Sequence, residues 1–468
     1  MKWAAAMAVA AAVMLSGGSA FASGGPGIDR ADTAWLLVST ALVMLMTPGL
    51  ALFYGGMVRA RNVLSTFMYS FVALAVVTIS WVVVGYSLAF AGDHHGLIGG
   101  FGAVLLHGVG LEPRGSIPAL LFMAYQLMFA IITPALISGA VAERAKFSAW
   151  VVFILLWSIF VYAPVAHWVW GDGGWLAKRG VLDFAGGTVV HLISGVSALV
   201  FALVLGRRRR HRREKVIPHN LTLTVLGAGL LWFGWFGFNG GSALHSSGLA
   251  VLALVNTHLA AAAAAAAWAG AEWLVAGRPS MLGLASGLVA GLVAITPAAG
   301  FVAPTGALLI GFAAGPVCYG AVLMKERLGY DDSLDAFGIH GMGGLLGALL
   351  TGVLASTAWN PEGAAGGLHQ LGVQALGTGV AAAFAAVMSY GLLKLVDAVI
   401  GLRVEDTQEQ EGLDLNLHGE RGYAFDLVVS RAAHFTGDTG AEEDELAEAA
   451  EPPVGRPAPT EEAADATT

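Results

Sequence analysis

Two histidines stand out as groups that could do chemistry where little else can. His191 closes the string LDFAGGTVVH (182–191) and His340 closes DAFGIH (335–340); each lies in a glycine-rich apolar segment, downstream of an acid, Asp183 or Asp335. In a soluble core an isolated histidine reads as a satisfied structural residue. At matched places in two parts of one apolar chain, the pair reads instead as imidazoles lining a common pore and hydrogen-bonded to each other. A neutral imidazole has one donor and one acceptor, so such a pair can take up a proton, pass it on, or bind a small hydrogen-bonding solute. A metal site is not expected, because neither histidine has a ligand partner at helical spacing and Cys318 is the only cysteine. Asp183 and Asp335 each precede a helix, where a carboxylate can accept backbone N–H groups. Aromatic residues gather at Tyr162, His167, Trp168 and Trp170, and again at Trp232, Trp235, Phe236 and Phe238. An interfacial belt accounts for several of them. It accounts less well for GWFGFNGGS (234–242), where rings alternate with glycine and end in the hydroxyl of Ser242. Aromatic faces attract a small cation, and a desolvated contact of this kind is worth up to about 2 kcal/mol.

The elements that must position these residues are membrane helices. Of 468 residues, 56% are hydrophobic and 12% charged, with 64 glycines, and mean hydropathy is +0.71. Soluble domains carry about 25% charged residues and about 7% Gly. The composition excludes a disordered chain, and the lone cysteine excludes a disulfide scaffold. Eleven apolar runs near the ~20 residues that cross a bilayer core are read at 33–55, 64–90, 117–141, 147–168, 187–206, 219–240, 248–275, 281–299, 302–324, 337–357 and 373–400. The chain is thus expected to be an all-α polytopic membrane protein. Before the first run, Lys2, an apolar centre and Ala20-Phe21-Ala22 have the form of a secretory signal peptide over 1–22; a short first membrane helix is the alternative.

Charge orients the helices. Fourteen bases fall in the odd-numbered loops, including Arg59, Arg61, Arg144, Lys146 and the run from Arg207 to Lys215, against three in the even loops. The odd loops are therefore expected in the cytoplasm, with the N-terminus outside and the C-terminus inside. The formal net charge of −8 comes from residues 438–468, which hold ten acids and one base, so the remainder of the chain carries +1. The echo between the two histidine segments falls in spans five and ten, which implies two inverted five-helix repeats plus one extra helix, with the site at their interface. Small residues within the spans, among them Ala260 to Ala267, suit close helix packing.

Longer motifs carry a resemblance. PGLALFYGGMVRARNVLS (48–65), SGAVAER (138–144), LDFAGGTVVH (182–191), PHN (218–220), GWFGFNGGSA (234–243), LVNT (254–257), DAFGIHGMGG (335–344) and GLRVEDTQEQEGLDLNLHGE (401–420) together make the chain similar to the ammonium transporters of the Amt, Mep and Rh type. The likeness runs over about residues 30–425. It implies a homotrimer with one narrow hydrophobic pore in each protomer, and a membrane domain over 23–400. It implies ammonium held at Phe129, Trp170 and Ser242, with Asp183 and Trp235 supporting that site. It further implies a gate of Phe238 and Tyr125, and twin pore histidines at His191 and His340. Tyr125 and Leu127-Met128 depart from the family pattern. The segment 401–425 would be regulatory, facing the trimeric PII signalling protein, and 426–468 an acidic tail; membrane lipids are further partners, and the basic loop 207–215 could face PII or anionic lipid. The resemblance implies no cofactor and no nucleic acid. An ammonium sensor that reports to a cytoplasmic partner is the alternative function. An intramembrane enzyme is the third class, but the sequence offers it no nucleophile or metal constellation.

Overall fold

Inside a bilayer every backbone N–H and C=O must find its partner within the chain, which leaves helices as the economical solution for sequences of this kind. The computed structural model describes residues 27–209 and 217–423. The expected signal peptide (1–22), the second half of the basic loop and the acidic tail (426–468) lie outside the described residues. Residues up to Gly422 form one unit, and of the second, Tyr423–Thr468, only Tyr423 is described.

Among the described residues, ten helices are long and apolar enough to cross a membrane: α1 (Arg30–Met57), α2 (Ala60–Phe90), α3 (Ala119–Val141), α4 (Phe147–Lys178), α5 (Gly187–Leu205), α6 (Leu221–Ala243), α7 (Gly248–Ala276), α9 (Pro304–Leu328), α10 (Phe337–Leu354) and α11 (Leu368–Val399). Between α7 and α9 lies α8 (Met281–Ile295), shorter at fifteen residues. The sequence predicts this span to run to 299. It stops earlier because Pro297 has no N–H to extend the ladder, and its carbonyl instead accepts from the Phe184 backbone at 3.1 Å. A two-residue hairpin, β1 (Pro113–Arg114) with β2 (Ile117–Pro118), leads into α3.

Glycine and alanine set the helix spacing. A Cβ on Gly227 of α6 would stand 2.3 Å from the Phe53 backbone nitrogen of α1, and one on Gly311 of α9 would stand 2.3 Å from the Ala260 carbonyl of α7. The alanine run is therefore a packing face: Ala260, Ala261 and Ala264 are buried, and a Cβ on Gly291 of α8 would stand 2.4 Å from the same Ala260 carbonyl. Polar groups tie helices together in the core. Trp157 of α4 donates to Ser197 of α5 (3.0 Å) and Ser389 of α11 (3.1 Å).

At the end that gathers the odd-numbered loops, charged groups are buried in pairs. Glu143 accepts from the Arg59 backbone (3.0 Å), from Asn62 (2.9 Å) and from Arg208 (2.9 Å). Arg208 also holds Asp331 through Nε (2.9 Å) and Nη2 (2.8 Å). Burial alone would push both carboxyls up, but the guanidiniums of Arg144 and Arg208 hold Asp331 well below the usual carboxylate range, and Arg208 and Arg59 hold Glu143 below its own. The basic loop, read as a face for PII or anionic lipid, spends its first members on internal pairs: Arg209 with Asp406, and Arg207 with the Gly329 carbonyl. The segment after α11 lies on this end, including the short helix α12 (Asp406–Glu411). Val404 donates to the Arg144 carbonyl (3.1 Å), and Asp414 accepts from the backbone of Leu64 (3.0 Å) and Ser65 (2.8 Å) at the start of α2.

Candidate functional site

Phe122, Gln126 and Phe129 recur at helical spacing and so share one face of α3. Opposite them stand Phe90 at the end of α2, Trp170 in the last part of α4, and Ser242 at the end of α6. With Phe184 and Leu244 they enclose a vestibule of about 160 Å³. Trp170 and Ser242 are each fixed by a hydrogen bond to backbone. The Trp170 indole donates to the Asp183 carbonyl at 2.9 Å, and its ring meets Phe129 edge to face, 5.9 Å between centroids. Ser242 donates to the Phe238 carbonyl at 2.8 Å, which leaves its lone pairs free to accept. Two rings and a hydroxyl acceptor around one space form a cradle for a small cation with N–H groups.

Gln126 is the residue that sequence reasoning missed. Its side-chain oxygen is buried on the vestibule and has no hydrogen-bond partner among the described residues. The available signal was that it is the only amide in the otherwise apolar α3.

Tyr125 does not stand where the gate was expected. Its hydroxyl lies 2.9 Å from the Gly237 carbonyl, 3.0 Å from the Phe238 carbonyl and 3.3 Å from Ser242. A buried phenol needs such a partner, and here the partners are the backbone at the end of α6. The ring that covers Phe238 is Phe129, with centroids 4.3 Å apart and planes inclined by 37°. This pair divides the vestibule, which Phe129 lines, from a second cavity, which Phe238 lines.

The second cavity is narrow. It has about 10 Å³, roughly the room of one water-sized sphere, and its walls are Met46, Leu50, Phe53, Ile132, Leu136, Leu231, Val289, Trp235, Phe238 and the two histidines. His191 and His340 are brought together as the sequence predicts, with ring centroids 5.4 Å apart and planes 19° from parallel. They are not hydrogen-bonded to each other: both His191 nitrogens and His340 Nδ1 have no partner among the described residues. Trp235 stacks on the other side of His191 at 5.2 Å and is anchored through its indole to Thr296 (2.9 Å). In this apolar channel the imidazole edges are the polar surface, and an intact ion would lose its hydration with little to replace it.

Both histidines sit in π-helical turns, Gly187–Leu192 and Phe337–Gly341, a distortion frequent at functional sites. Each turn is held at its start by a carboxylate. Asp183 accepts from the backbone of Gly186 (2.9 Å), Gly187 (2.6 Å), Thr188 (2.9 Å) and Val189 (3.0 Å). In the other half this part is played by Asp332, which accepts from Ala336 (3.1 Å) and Phe337 (2.8 Å). Asp335, expected to match Asp183, instead pairs with Lys325. The true correspondence is one of spacing: each capping carboxylate precedes its histidine by eight positions. The crossing is reciprocal too. Gly195 of α5, four residues after His191, abuts Gly341, while Gly344 of α10, four after His340, abuts Gly187 and Leu192.

Known proteins share this sequence and fold. The family model described as Ammonium Transporter Family matches residues 34–423. The ammonium transporter of Bacillus subtilis is 49% identical, aligned over 85% of this chain and 99% of its own length. That of Aquifex aeolicus is 51% identical, over 85% and 94%. Among solved structures, Saccharomyces cerevisiae Mep2 superposes with a TM-score of 0.78 at 39% identity, covering 83% of this chain and 90% of that one. A structure described as a sensor Amt protein does so with a TM-score of 0.78 at 30% identity, over 83% and 98%.

Proposed function

The chain belongs to the ammonium transporter family, and from that premise we propose that it conducts ammonium nitrogen through the cavity series just described, across the cytoplasmic membrane. The observation that carries this reading is the order of the parts: a cation cradle at Phe129, Trp170 and Ser242, a partition of Phe129 on Phe238, and a dry channel whose polar surface is His191 and His340. The cradle concentrates ammonium by cation–π attraction and one hydrogen bond to Ser242, with the Gln126 oxygen as a second acceptor. The cation passes the partition as the two rings part and gives its proton to the unpartnered His191 imidazole, ammonia moves along the imidazole edges, and the histidines relay the proton. Potassium has no proton to release and is rejected below the partition. Asp183 supports the cradle through the Trp170 indole without touching the ion.

The assembly is a homotrimer with one pore per protomer. In each protomer the N-terminus lies outside and the C-terminus inside, with two inverted five-helix repeats plus one extra helix. The matched acid, π turn and glycine of α5 and α10 support the repeat. Cleavage after Ala22 removes the signal peptide. At the cytoplasmic face the segment 401–425 meets the PII signalling protein; its position against the loops at 59–65 and 143–146 supports that surface, and pulldown of PII that survives deletion of 401–425 removes it. The sensor named among the structural neighbours supports a second reading, in which ammonium binding is reported to a partner.

The test is reconstitution in liposomes on a supported membrane. An ammonium pulse produces a charge transient, a potassium pulse none, and His191→Ala loses the signal. Potassium permeation at ammonium-like rates refutes the mechanism. Uptake with no charge displacement replaces the proton relay by conduction of neutral ammonia, and binding without flux replaces transport by sensing.

A further inference from the structure

Two of the vestibule's rings already carry a cation. Arg114, in the hairpin that precedes α3, places its guanidinium carbon 4.1 Å from the centroid of Phe122 and 5.8 Å from that of Phe90. Both rings line the vestibule, and they meet edge to face at 5.2 Å. The position is constructed rather than incidental. Arg114 pairs with Ile117 across a turn in which Gly115 takes a φ of +63°. The hairpin is fixed at both ends, by the Ala119 backbone donating to the Glu112 carbonyl (2.9 Å) and the Asp29 backbone donating to the Ser116 carbonyl (2.8 Å). The guanidinium also reaches Asp172 (3.2 Å) and the Tyr86 hydroxyl (3.4 Å).

The charge on Arg114 is unevenly screened. Its side chain is 29% exposed and rests on carbon rings, whereas the Asp172 side chain is 86% exposed. Water damps the field of the carboxylate more than that of the guanidinium on the side that faces the aromatic pocket. We propose that Arg114 is a resident cation that occupies the outermost cation–π position of the vestibule. It repels incoming monovalent cations, leaves only the inner rings of Trp170 and Phe129 to hold one, and thereby sets the concentration at which the site fills. This inference rests on the transport reading given above and concerns its affinity, not its pathway.

The experiment measures the ammonium concentration that gives half-maximal transient current, for native protein, Arg114→Gln, Arg114→Lys and Asp172→Asn, in buffers of low and high ionic strength. Arg114→Gln lowers the half-saturating concentration about two- to fivefold at low salt. The difference closes near 1 M salt, where the screening length is about 3 Å. Arg114→Lys keeps the native value in both buffers. Asp172→Asn leaves the rings untouched and raises the value at low salt, so it carries the test if Arg114→Gln does not fold. An unchanged or raised value in Arg114→Gln, or a shift that high salt does not remove, overturns the proposal and makes Arg114 a strut of the hairpin. Native protein that moves no ammonium at all defeats the transport reading instead.

Discussion

The crossing of α5 and α10 beside the histidines permits a graded prediction. A methyl group built on Gly195 would stand 2.2 Å from the Gly341 nitrogen and 2.3 Å from its Cα, whereas ordinary contact begins at 3.4 Å. The shortfall is therefore 1.2 Å, and it falls on backbone, which cannot rotate away. For Gly344 the nearest atom is the Gly187 carbonyl oxygen at 2.6 Å, a shortfall of 0.8 Å. At Gly229 of α6 nothing lies within 4 Å. Overpacking costs about 1–3 kcal/mol, while alanine in open helix is favoured over glycine by about 1 kcal/mol. Since His191 lies one turn before Gly195, and Gly341 directly follows His340, the parting of the helices opens the 5.4 Å histidine pair. Misplacement of working groups by about 1 Å costs on the order of 100-fold in enzymes, and at least about a tenfold loss of flux is expected here. Ammonium-evoked currents and thermal melts in detergent should rank Gly229→Ala as native or better, Gly344→Ala as impaired, and Gly195→Ala as most impaired in both measurements. Native current and melting in Gly195→Ala, or a reversed order of the two crossing variants, would refute the reasoning.

Four further outcomes follow from named contacts. Ser242→Ala removes one acceptor worth about 1 kcal/mol, so half-saturation by ammonium should rise about fivefold with the maximal current retained. Tyr125→Phe takes the phenol away from the Gly237 and Phe238 carbonyls, which should lower thermal stability by about 1–3 kcal/mol while potassium remains excluded, because Phe129 forms the partition. At the Arg-rich end, Arg208→Ala takes one cationic partner from each of two buried carboxylates, Glu143 and Asp331, and should destabilise by about 1–3 kcal/mol. The pH dependence has a definite sign: Asp331 is depressed from 3.8 in the folded protein, so its contribution is complete above that value and is lost as pH falls through the lowered one. Melts between pH 5 and pH 3, in buffers chosen about those values, should be flatter for Asp331→Asn than for the native protein.

What the sequence made legible was whatever is encoded locally. Apolar run length gave the spans, and an acid and a histidine in a glycine-rich string gave one half of the channel. In the second half the dipeptide Leu334-Asp335 drew the eye toward the wrong acid. The constraint is the distance from the carboxylate to the π turn it caps, and eight residues from His340 points to Asp332. Tyr125 was expected at the gate from the family resemblance, whereas the ring over Phe238 is Phe129, one turn further along α3; the Tyr125 hydroxyl, which requires a partner, was the better clue. The pairs of Arg208 with Glu143 and Asp331 join positions 65 and 123 residues apart, and no local pattern encodes such a pairing. The short α8 follows from Pro297, a breaker that the hydropathy average smoothed over.

The stacked pair of Phe129 and Phe238 has a consequence for cell energetics. Two hydrocarbon faces 4.3 Å apart offer no donor and no acceptor, so a file of waters cannot run past them while they are closed. Proton hopping needs an unbroken file, and it ends there. Parting of the two buried rings lets a solute by without both compartments ever being joined by water. A membrane carrying many copies of this protein therefore keeps its electrochemical proton gradient, even though each copy holds a cation-attracting cup open to the solution.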